Sequence, residues 1–305
     1  MRSGILVVDK AAGMTSFDVV GLVRRRLGIR RVGHAGTLDP DATGVLPTLV
    51  GEATKLMAYL SDHDKEYVAT IRLGVVTDTQ DLGGRVLKTA TVPLLDVPAL
   101  TGAARAFVGR ISQVPPMFSA LHHEGRRLYE LARQGRDVPR PARQVVVHAI
   151  TVEAVALPSV RLRIVCGKGT YVRALAADLG HALGCGAALE QLVRTRVGPF
   201  TVAEAVSSEQ LAAASPEVLW SRLRPPQAAL LGWPVARLDA RAAAAFVHGQ
   251  AVELRVPLSA PGDFVAVFEG DTDFVGVGER SGQGGWLKPV RILHADRPGP
   301  RILPA

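Results

Sequence analysis

The sequence predicts an α+β protein of two domains, the second a small β-structured domain at the C-terminal end. The 305 residues are 48% hydrophobic and 21% charged, which suits an ordinary globular core and excludes a disordered or coiled-coil chain. Strand and helix patterns alternate without the regular rhythm of a doubly wound fold. A Pro- and Gly-rich stretch at 224–234 then precedes glycine-punctuated strands, so we place the domain boundary between 232 and 233.

The N-terminal elements lead into a long loop. Residues 4–9 (GILVVD) are a short apolar run that predicts a strand. A helix follows, with Ser16 as its predicted cap and Gly28 at its predicted end. The next segment, 30–44, is dense in Gly, Asp, Thr and Pro and is too long for a simple connection. Because long ordered loops in compact domains are usually functional, this loop is the first candidate for a site.

The remaining elements of the larger domain follow from periodicity and capping residues. Residues 66–73 alternate, so a strand is predicted there with Tyr67, Ala69, Ile71 and Leu73 on one face. The other predicted elements are helices at 51–60, 98–108 and 126–134, strands at 144–157 and 160–166, a helix from a Thr170 cap to 183, and a helix opened by Ser215. The segment from Val247 onward is strand-like and predicts a small β-barrel.

The net charge is unevenly distributed. Of the excess of +8, none lies in 233–305, where eight basic residues balance eight acidic ones. Arginines are dense at 24–31 and again in 113–143, a polar excursion that holds one short predicted helix. A basic surface on one domain favours a polyanionic partner such as nucleic acid. Charge alone does not separate this interpretation from solvated, arginine-rich faces.

Several function classes are excluded or disfavoured by what the sequence lacks. No apolar run reaches the roughly 18 residues of a spanning helix, and residues 1–10 predict a strand rather than a signal peptide. Cys166 and Cys185 match no metal or redox spacing, so we expect inert thiols in a reducing cytosol. The loop has no Lys-Ser or Lys-Thr after its glycines, unlike nucleotide-binding loops. The chain also lacks the His-x-Glu and paired cysteines of the zinc deaminases, which excludes that class of enzyme.

Loop 33–47 (GHAGTLDPDATGVLP) is the most informative stretch of the chain. Taken singly, Asp39 before Pro40 is more often a turn residue than a catalyst. His34, on a glycine-flanked loop, is likewise more often a surface or hydrogen-bonding residue. Six further segments gain meaning with this loop: 10–16 (KAAGMTS), 65–74 (KEYVATIRLG), 77–81 (TDTQD), 113–120 (QVPPMFSA), 169–173 (GTYVR) and 189–194 (LEQLVR).

Together these seven segments, in this order, resemble the TruB family of pseudouridine synthases, the branch that modifies the T loop of tRNA. The resemblance implies a mixed, largely antiparallel catalytic domain at 1–232 with an inserted RNA-binding arm at about 113–143. It also implies a PUA-like RNA-binding barrel at 233–305. The implied activity is isomerisation of uridine 55 of tRNA to pseudouridine, by base flipping and an Asp-dependent change from an N-glycosidic to a C-glycosidic bond.

The resemblance also assigns roles to individual residues. Asp39 is implied as the catalytic carboxylate and Arg173 as its salt-bridge partner, while Tyr67 stacks on the target base. His34 fills the space that the flipped uridine leaves. The remaining substrate-binding residues implied are Tyr171 and Leu192 in the pocket, Lys10 and Gly13 in the first motif, and Arg126 and Arg127 in the arm.

The chemistry of this reaction explains an Asp–Arg pair. Nothing is oxidised or transferred to a second molecule, so we expect neither a metal nor a cofactor. Burial can raise the pKa of an Asp by as much as about 3–5 units. An arginine at ~4 Å contributes about 4 kcal/mol at an effective dielectric constant near 20, which offsets about three of those units. Attack at C1′, attack at C6 and removal of the 2′ proton all use the same ionised carboxylate, and the sequence does not choose between them.

Three functions remain open at this point: a stand-alone tRNA isomerase, an RNA-binding module or tRNA-folding chaperone, and a guide-RNA-dependent relative that modifies ribosomal RNA. An acid paired with an arginine favours an enzyme over a chaperone, although the two roles are compatible. A compact chain with an inserted arm favours the stand-alone enzyme. We therefore expect a cytoplasmic monomer that binds the T stem-loop of tRNA, and its acceptor end through the C-terminal domain, without guide RNA or membrane.

Overall fold

The structure, a computed structural model, describes residues 2–119, 121–254, 263–281 and 285–293. The α+β class is confirmed: strands and helices mix in a large sheet-based part, and a smaller sheet follows it. Parts of the predicted C-terminal barrel (255–262, 282–284 and 294–305) and the last residue of the segment 113–120 lie outside the described residues.

The helices are α1 Ser16–Leu27, α2 Met57–Asp62, α3 Val97–Arg105, α4 Leu128–Arg133, α5 Val172–Ala182, α6 Ser208–Ala213, α7 Pro216–Ser221 and α8 Ala240–Val247. The strands are β1 Gly4–Lys10, β2 Val32–His34, β3 Thr43–Val50, β4 Lys65–Leu73, β5 Val75–Thr77, β6 Val86–Thr89, β7 Gly109–Gln113, β8 His122–His123, β9 Arg126–Arg127, β10 Arg143–Ala156, β11 Ser159–Cys166, β12 Ala187–Val197, β13 Phe200–Thr201, β14 Val206–Ser207, β15 Val235–Leu238, β16 Val252–Glu253, β17 Phe264–Glu269, β18 Asp273–Ser281 and β19 Trp286–Ile292. Short 3₁₀ turns occupy Gly51–Leu56, Val202–Glu204 and Pro226–Leu230.

The large sheet is mixed and has β12 near its middle. Its order is β14-β1-β3-β12-β4-β11-β10-β7, with β2 on β3 and β13 on β12. Most neighbours are antiparallel, but β12 runs parallel to β3 and pairs with it only at Val193–Thr43 and Arg194–Gly44. Because β2 and β3 are joined by residues 35–42, this short parallel junction places the predicted functional loop beside β12.

The alternation on β4 produces the larger core. Tyr67, Ala69, Ile71 and Leu73 are all buried, as the period of two predicts. They pack in one cluster with the apolar face of α5, which includes Leu175. The core therefore holds α5 against the sheet, and the first turn of α5 points toward the loop between β2 and β3.

Helix α1 begins one residue earlier than a Ser16 cap allows. Thr15 is the N-cap and forms a reciprocal capping box with Asp18, while Gly28 ends the helix with a left-handed φ of 64°, as predicted. Ser16 is instead buried, and its hydroxyl accepts a hydrogen bond from the Leu38 amide at 2.9 Å. The expected cap residue thus ties α1 to the functional loop.

Other boundaries differ from the prediction for similar local reasons. The predicted loop 30–44 contains β2, and the predicted helix 51–60 is a 3₁₀ turn followed by α2. Tyr171, not Thr170, is the N-cap of α5, and the Thr170 hydroxyl donates to the Gly167 carbonyl at 3.1 Å. Strands β3 and β12 were not predicted, although both lie at the centre of the sheet.

The C-terminal part is a five-stranded sheet in the order β15-β17-β18-β19-β16. Val247 ends α8 rather than beginning a strand, and α8 buries Phe246 against this sheet. The sheet also packs on the larger part, since Ala266 and Val277 share a core cluster with Ile5 and Leu49. The domain limits 1–232 and 233–305 stay a prediction, because this shared core joins the two parts.

Candidate active site

A two-lobed cleft opens beside the loop between β2 and β3. The outer lobe, lined by Phe17, Arg127 and Tyr129, has a volume of about 640 Å³, and the inner lobe, lined by Lys65, Tyr67 and Tyr171, has a volume of about 310 Å³. Both volumes fall in the range of small-ligand pockets. Both lobes are lined by Asp39, Arg173 and Leu192. The Asp–Arg pair that the sequence singles out therefore lies where the two lobes meet.

Asp39 and Arg173 form a direct ion pair. Arg173 Nε lies 2.9 Å from Asp39 Oδ2, with the arginine side chain 5% exposed and the carboxylate 45% exposed. The rest of the guanidinium donates to two carbonyls, those of Thr79 at 3.1 Å and Phe118 at 2.8 Å. The arginine is thus fixed from behind, and it presents one N–H to a carboxylate that faces the cleft. The structure brings together the two residues predicted as catalytic acid and partner.

Asp81 is a second carboxylate at the same arginine, and the sequence assigned it no role. Its Oδ2 is 3.7 Å from Arg173 Nη1, and its Oδ1 accepts from the Thr79 hydroxyl at 2.6 Å and the Gly83 amide at 3.1 Å. It also lines the outer lobe. The segment 77–81 already stood out in the sequence, so the missing signal was its proximity to Arg173.

Arg194 fixes the shape of the loop from below. This residue of β12 is 1% exposed, and it donates to the carbonyls of Val45 at 2.7 Å, Gly36 at 3.0 Å and Thr37 at 3.4 Å. Burial lowers its pKa from the ordinary arginine value. Gly44 passes so close that a Cβ there would lie 2.2 Å from the Arg194 carbonyl, and its φ of +103° also requires glycine.

The structure changes the expected role of Lys10. The residue is fully buried, and its ammonium donates to the carbonyls of Met14 and Pro40, both at 2.8 Å, and to that of Ala11 at 3.0 Å. It therefore holds the loop next to Asp39 instead of facing a substrate. Burial lowers its pKa to about 8. Gly13, with φ +80°, donates its amide to the same Pro40 carbonyl at 3.0 Å.

Two tyrosines line the inner lobe where they were expected. Tyr67 of β4 is 8% exposed, and burial raises the pKa of its phenol. Burial also raises the pKa of Tyr171. The backbone of Tyr171 is held by Gln113, whose side chain accepts from its amide at 2.8 Å and donates to its carbonyl at 3.0 Å. Leu192 lies between the lobes, so these three residues stay candidates for the pocket.

His34 lies behind the outer lobe, not within it. Its ring packs edge to face on Phe17 with centroids 5.4 Å apart, and Phe17 lines the lobe while 61% exposed. Burial, together with the charge of Arg194, lowers the pKa of His34, so its imidazole is neutral near pH 7. Phe17 was not predicted as a site residue; an exposed aromatic in the first turn of α1 was the available signal.

The arm supplies an aromatic residue flanked by two arginines. The guanidinium carbons of Arg127 and Arg133 lie 6.0 and 5.7 Å from the ring centroid of Tyr129. All three line the outer lobe. Arg126, also predicted to bind substrate, is exposed on β9 and lines neither lobe. The arm therefore places positive charge and an aromatic face at the cleft through Arg127 and Arg133.

The described residues contain no group of three or more His, Cys, Asp or Glu side chains placed to hold a metal ion. Both cysteines are free and buried, and burial raises the pKa of Cys166 to about 11, so its thiol is protonated at neutral pH. Within the same part of the chain, no helix is long and apolar enough to cross a membrane.

Family models match most of the chain. The model described as "TruB family pseudouridylate synthase (N terminal domain)" matches residues 24–172. "tRNA pseudouridylate synthase B C-terminal domain" matches 173–230, and "Pseudouridine synthase II TruB, C-terminal" matches 234–293. The three matches follow one another along the sequence, and they confirm the resemblance that the seven segments carry.

Individual relatives agree with these models. A tRNA pseudouridine synthase B from Burkholderia pseudomallei (strain 668) is 45% identical over 294 residues, 95% of this chain and 96% of the relative. One from Geotalea uraniireducens (strain Rf4) is 53% identical over 209 residues, 68% and 67% of the two chains. A solved chain from a Cbf5-Nop10-Gar1 complex has a TM-score of 0.73 at 26% identity, over 95% of this chain and 84% of that one. The chain therefore belongs to the TruB family of pseudouridylate synthases.

Proposed function

We propose that this protein isomerises uridine 55 in the T loop of tRNA to pseudouridine. The observation that carries the proposal is the Asp39–Arg173 ion pair at the junction of the two lobes, in a chain whose curated relatives are named tRNA pseudouridine synthase B. The reaction rearranges one nucleoside and needs no second reactant. An ionised carboxylate in a shaped pocket is therefore the chemical group it requires.

Asp39 is the group that acts on the ribose or the base. Its carboxylate must stay ionised when RNA covers the cleft and removes water, which would by itself raise its pKa. Arg173 opposes this effect, because its charge is 2.9 Å from the carboxylate and is itself fixed by two carbonyls. Arginine suits this place better than lysine, since its charge is hard to lose on burial.

The inner lobe receives the flipped base. Extruding a nucleotide costs a few kcal/mol, and stacking on an aromatic side chain recovers about 1–3 kcal/mol of that. Tyr67 lines the lobe and is the candidate for this stacking and for a part in removing the C5 proton. Phe17, packed on His34 at the outer lobe, is placed to support the RNA from which the base has left.

The outer lobe contacts the RNA around the target. Arg127 and Arg133 bring two positive charges to it, and Tyr129 between them offers a stacking surface. Such a combination suits a folded RNA loop, which proteins recognise through phosphates, shape and unstacked bases. We infer that the T stem-loop occupies this lobe, and that the C-terminal sheet contacts the acceptor end.

We further propose that the protein acts alone, as a cytoplasmic monomer without a guide RNA. Its curated relatives carry the name of a tRNA enzyme at 45% identity, whereas the solved chain from the Cbf5-Nop10-Gar1 complex is 26% identical. The higher identity over nearly the whole chain favours the stand-alone activity.

The test is an assay of the purified protein on an unmodified tRNA transcript with no other RNA present. We expect one pseudouridine per tRNA, at position 55, and none in a matched transcript with cytidine there. Binding without product would support an RNA-binding or chaperone function instead. Product that forms only after a guide RNA is added would support the guide-dependent function.

A further inference from the structure

The buried charges of the described residues are all positive. Lys10, Lys65, Arg173 and Arg194 are each at most 6% exposed, whereas no acidic side chain in the described part of the chain is buried to that degree. The four cations surround the same loop: Lys10 bonds Pro40, Arg173 pairs with Asp39 and Arg194 bonds Gly36. Lys65 also lies beside Gly36, since a Cβ built there would be 3.9 Å from Lys65 Cε. Burying a cation costs free energy. Four buried cations around one loop therefore need an explanation.

Three of these cations, Lys65, Arg173 and Arg194, line the inner lobe, and Arg173 is paired there with Asp39. Among the described residues that line this lobe, the acid is Asp39. Lys65 has Asp62 and Asp64 beside it in sequence, but both carboxylates are about half exposed, so solvent screens them. Asp62 is also paired with Lys168 at 2.9 Å, and Asp64 Oδ1 lies 3.0 Å from His148 Nε2. The lining of the inner lobe therefore carries three positive charges and one negative charge.

Lys65 and Arg194 have few N–H groups left to donate hydrogen bonds to a ligand. The Nε, Nη1 and Nη2 atoms of Arg194 each donate to a backbone carbonyl of the loop or of β3. Lys65 Nζ donates to the carbonyls of Ser61 at 2.5 Å and His63 at 2.6 Å. Lys65 and Arg194 therefore act on the lobe mainly through their charge. This electrostatic effect becomes stronger when a bound RNA excludes water from the site.

We propose that the inner lobe is an anion pocket for the detached uracil ring, in which Lys65 and Arg194 stabilise its negative charge. The inference rests on the proposed function. When the N1–C1′ bond breaks, its electron pair stays with the base, and N1, O2 and O4 share the charge. Asp39 then either forms an ester bond to C1′ or takes the 2′ proton of the ribose to leave a glycal. When C5 bonds to C1′, the electron pair of the uracil anion forms the new bond, while the ester oxygen leaves as the Asp39 carboxylate or the glycal takes back its 2′ proton. C5 then loses its proton to a base and N1 takes up one proton, so the product is an isomer of the uridine.

A field from fixed cations suits a ring that must turn. Hydrogen bonds directed at O2 or O4 would hold the ring in one orientation, whereas N1 must move away from C1′ and C5 must approach it. Two charges that make no directed bond to the ring stabilise the anion in either orientation. The arrangement thus lowers the energy of the detached state without blocking the rotation.

The direct test measures binding of a free base to the protein in complex with a T-stem-loop RNA that has a stable abasic residue at the target position. The probes are 5-nitrouracil, an anion at neutral pH, and uracil, which is neutral. We expect 5-nitrouracil to bind about tenfold or more tightly than uracil. Lys65→Met should remove most of this preference, and Lys65→Arg should keep it.

The matched control is Lys168→Met, which removes an exposed charge two residues beyond the end of β11. Lys168 lines neither lobe. This variant should keep the wild-type preference. In turnover, Lys65→Met should lower kcat by about 100-fold with little change in KM, the signature of a charge that acts in the transition state.

Equal binding of the two bases by the wild-type protein would overturn the proposal, and that result does not depend on any variant folding. Equal effects of Lys65→Met and Lys168→Met would also overturn it. Because base binding needs no turnover, an anion preference in a protein that makes no pseudouridine would refute only the proposed function.

Discussion

At the scale of single residues, the site depends on how Arg173 is held. Its guanidinium contacts two carboxylates, Asp39 and Asp81, and two carbonyls contributed by separate loops. A flexible surface arginine would lose entropy on pairing, whereas this one is already fixed. The ion pair can therefore survive removal of water by a bound RNA.

Arg173→Lys should impair turnover more than binding. Lysine keeps the charge, but its single ammonium cannot reach Asp39 and both carbonyls in the same geometry. We expect kcat to fall about 100-fold or more while the Kd for tRNA stays within about threefold. Single-turnover rates and filter binding on the same tRNA would measure both. Parallel losses in rate and affinity would contradict the ion-pair argument.

Lys65 makes stability depend on pH in a defined direction. Burial lowers its pKa from 10.5 to about 8 in the folded protein. Between those two values the unfolded chain binds more protons, so the free energy of unfolding attributable to Lys65 rises with pH. Below about pH 8 both states are protonated, and the folded state bears the cost of the buried charge.

The wild-type minus Lys65→Met difference in unfolding free energy should therefore rise between about pH 8 and pH 10.5, by up to about 3 kcal/mol. Urea unfolding of both proteins across this window would measure it. Lys10, whose pKa is also lowered to about 8, is common to both proteins and cancels in the difference. A difference that is constant with pH would show that Lys65 is not buried as a charge.

At the scale of elements, the site is built where β3, β12 and α5 meet. Elements with simple patterns, such as the alternating β4, were predicted from sequence. Strand β12 was not, because shifts of register near Leu189 and Arg194 break its alternation and place a buried arginine where a strand pattern expects an apolar residue. Pro47 within β3 likewise argues against a strand. Prediction from local sequence patterns is thus least accurate for the strands that carry the site.

The same reasoning applies to site residues. Asp39, Arg173, Tyr67 and Leu192 came from the resemblance to a family, and the structure brings all four to the cleft. The burial of Lys10 could not be predicted, because a lysine near a turn is normally solvated and only the folded loop shows its three carbonyl partners.

The arm yields a prediction that separates neighbouring arginines. Arg127→Gln and Arg133→Gln should each weaken tRNA binding and reduce the slope of log K against log salt by about 1, since each guanidinium at the outer lobe is placed to contact a phosphate. Arg126→Gln, which removes the same charge outside the cleft, should change the slope less. Titrations over a range of salt concentrations would test this, and equal effects of all three would contradict the assignment.

At the scale of the whole molecule, the two predicted domains share a core. Tyr59, Trp233 and Phe264 form an aromatic cluster with ring centroids 5.1–6.0 Å apart, and Lys55 donates to the Ile292 carbonyl at 2.6 Å. The Pro- and Gly-rich boundary signalled a second unit, but composition carries no information about packing between units. The C-terminal sheet is thus held at a fixed place relative to the cleft, where it can contact a distant part of the same RNA.

The central claim is that the Asp39 carboxylate performs the rearrangement, and Asp39→Asn tests it most directly. Asparagine keeps the size of the side chain and removes only its charge. Single-turnover conversion and Kd should be measured together on unmodified tRNA. We predict no detectable pseudouridine and a Kd within about threefold of the wild-type value. Appreciable turnover by the variant would contradict the account.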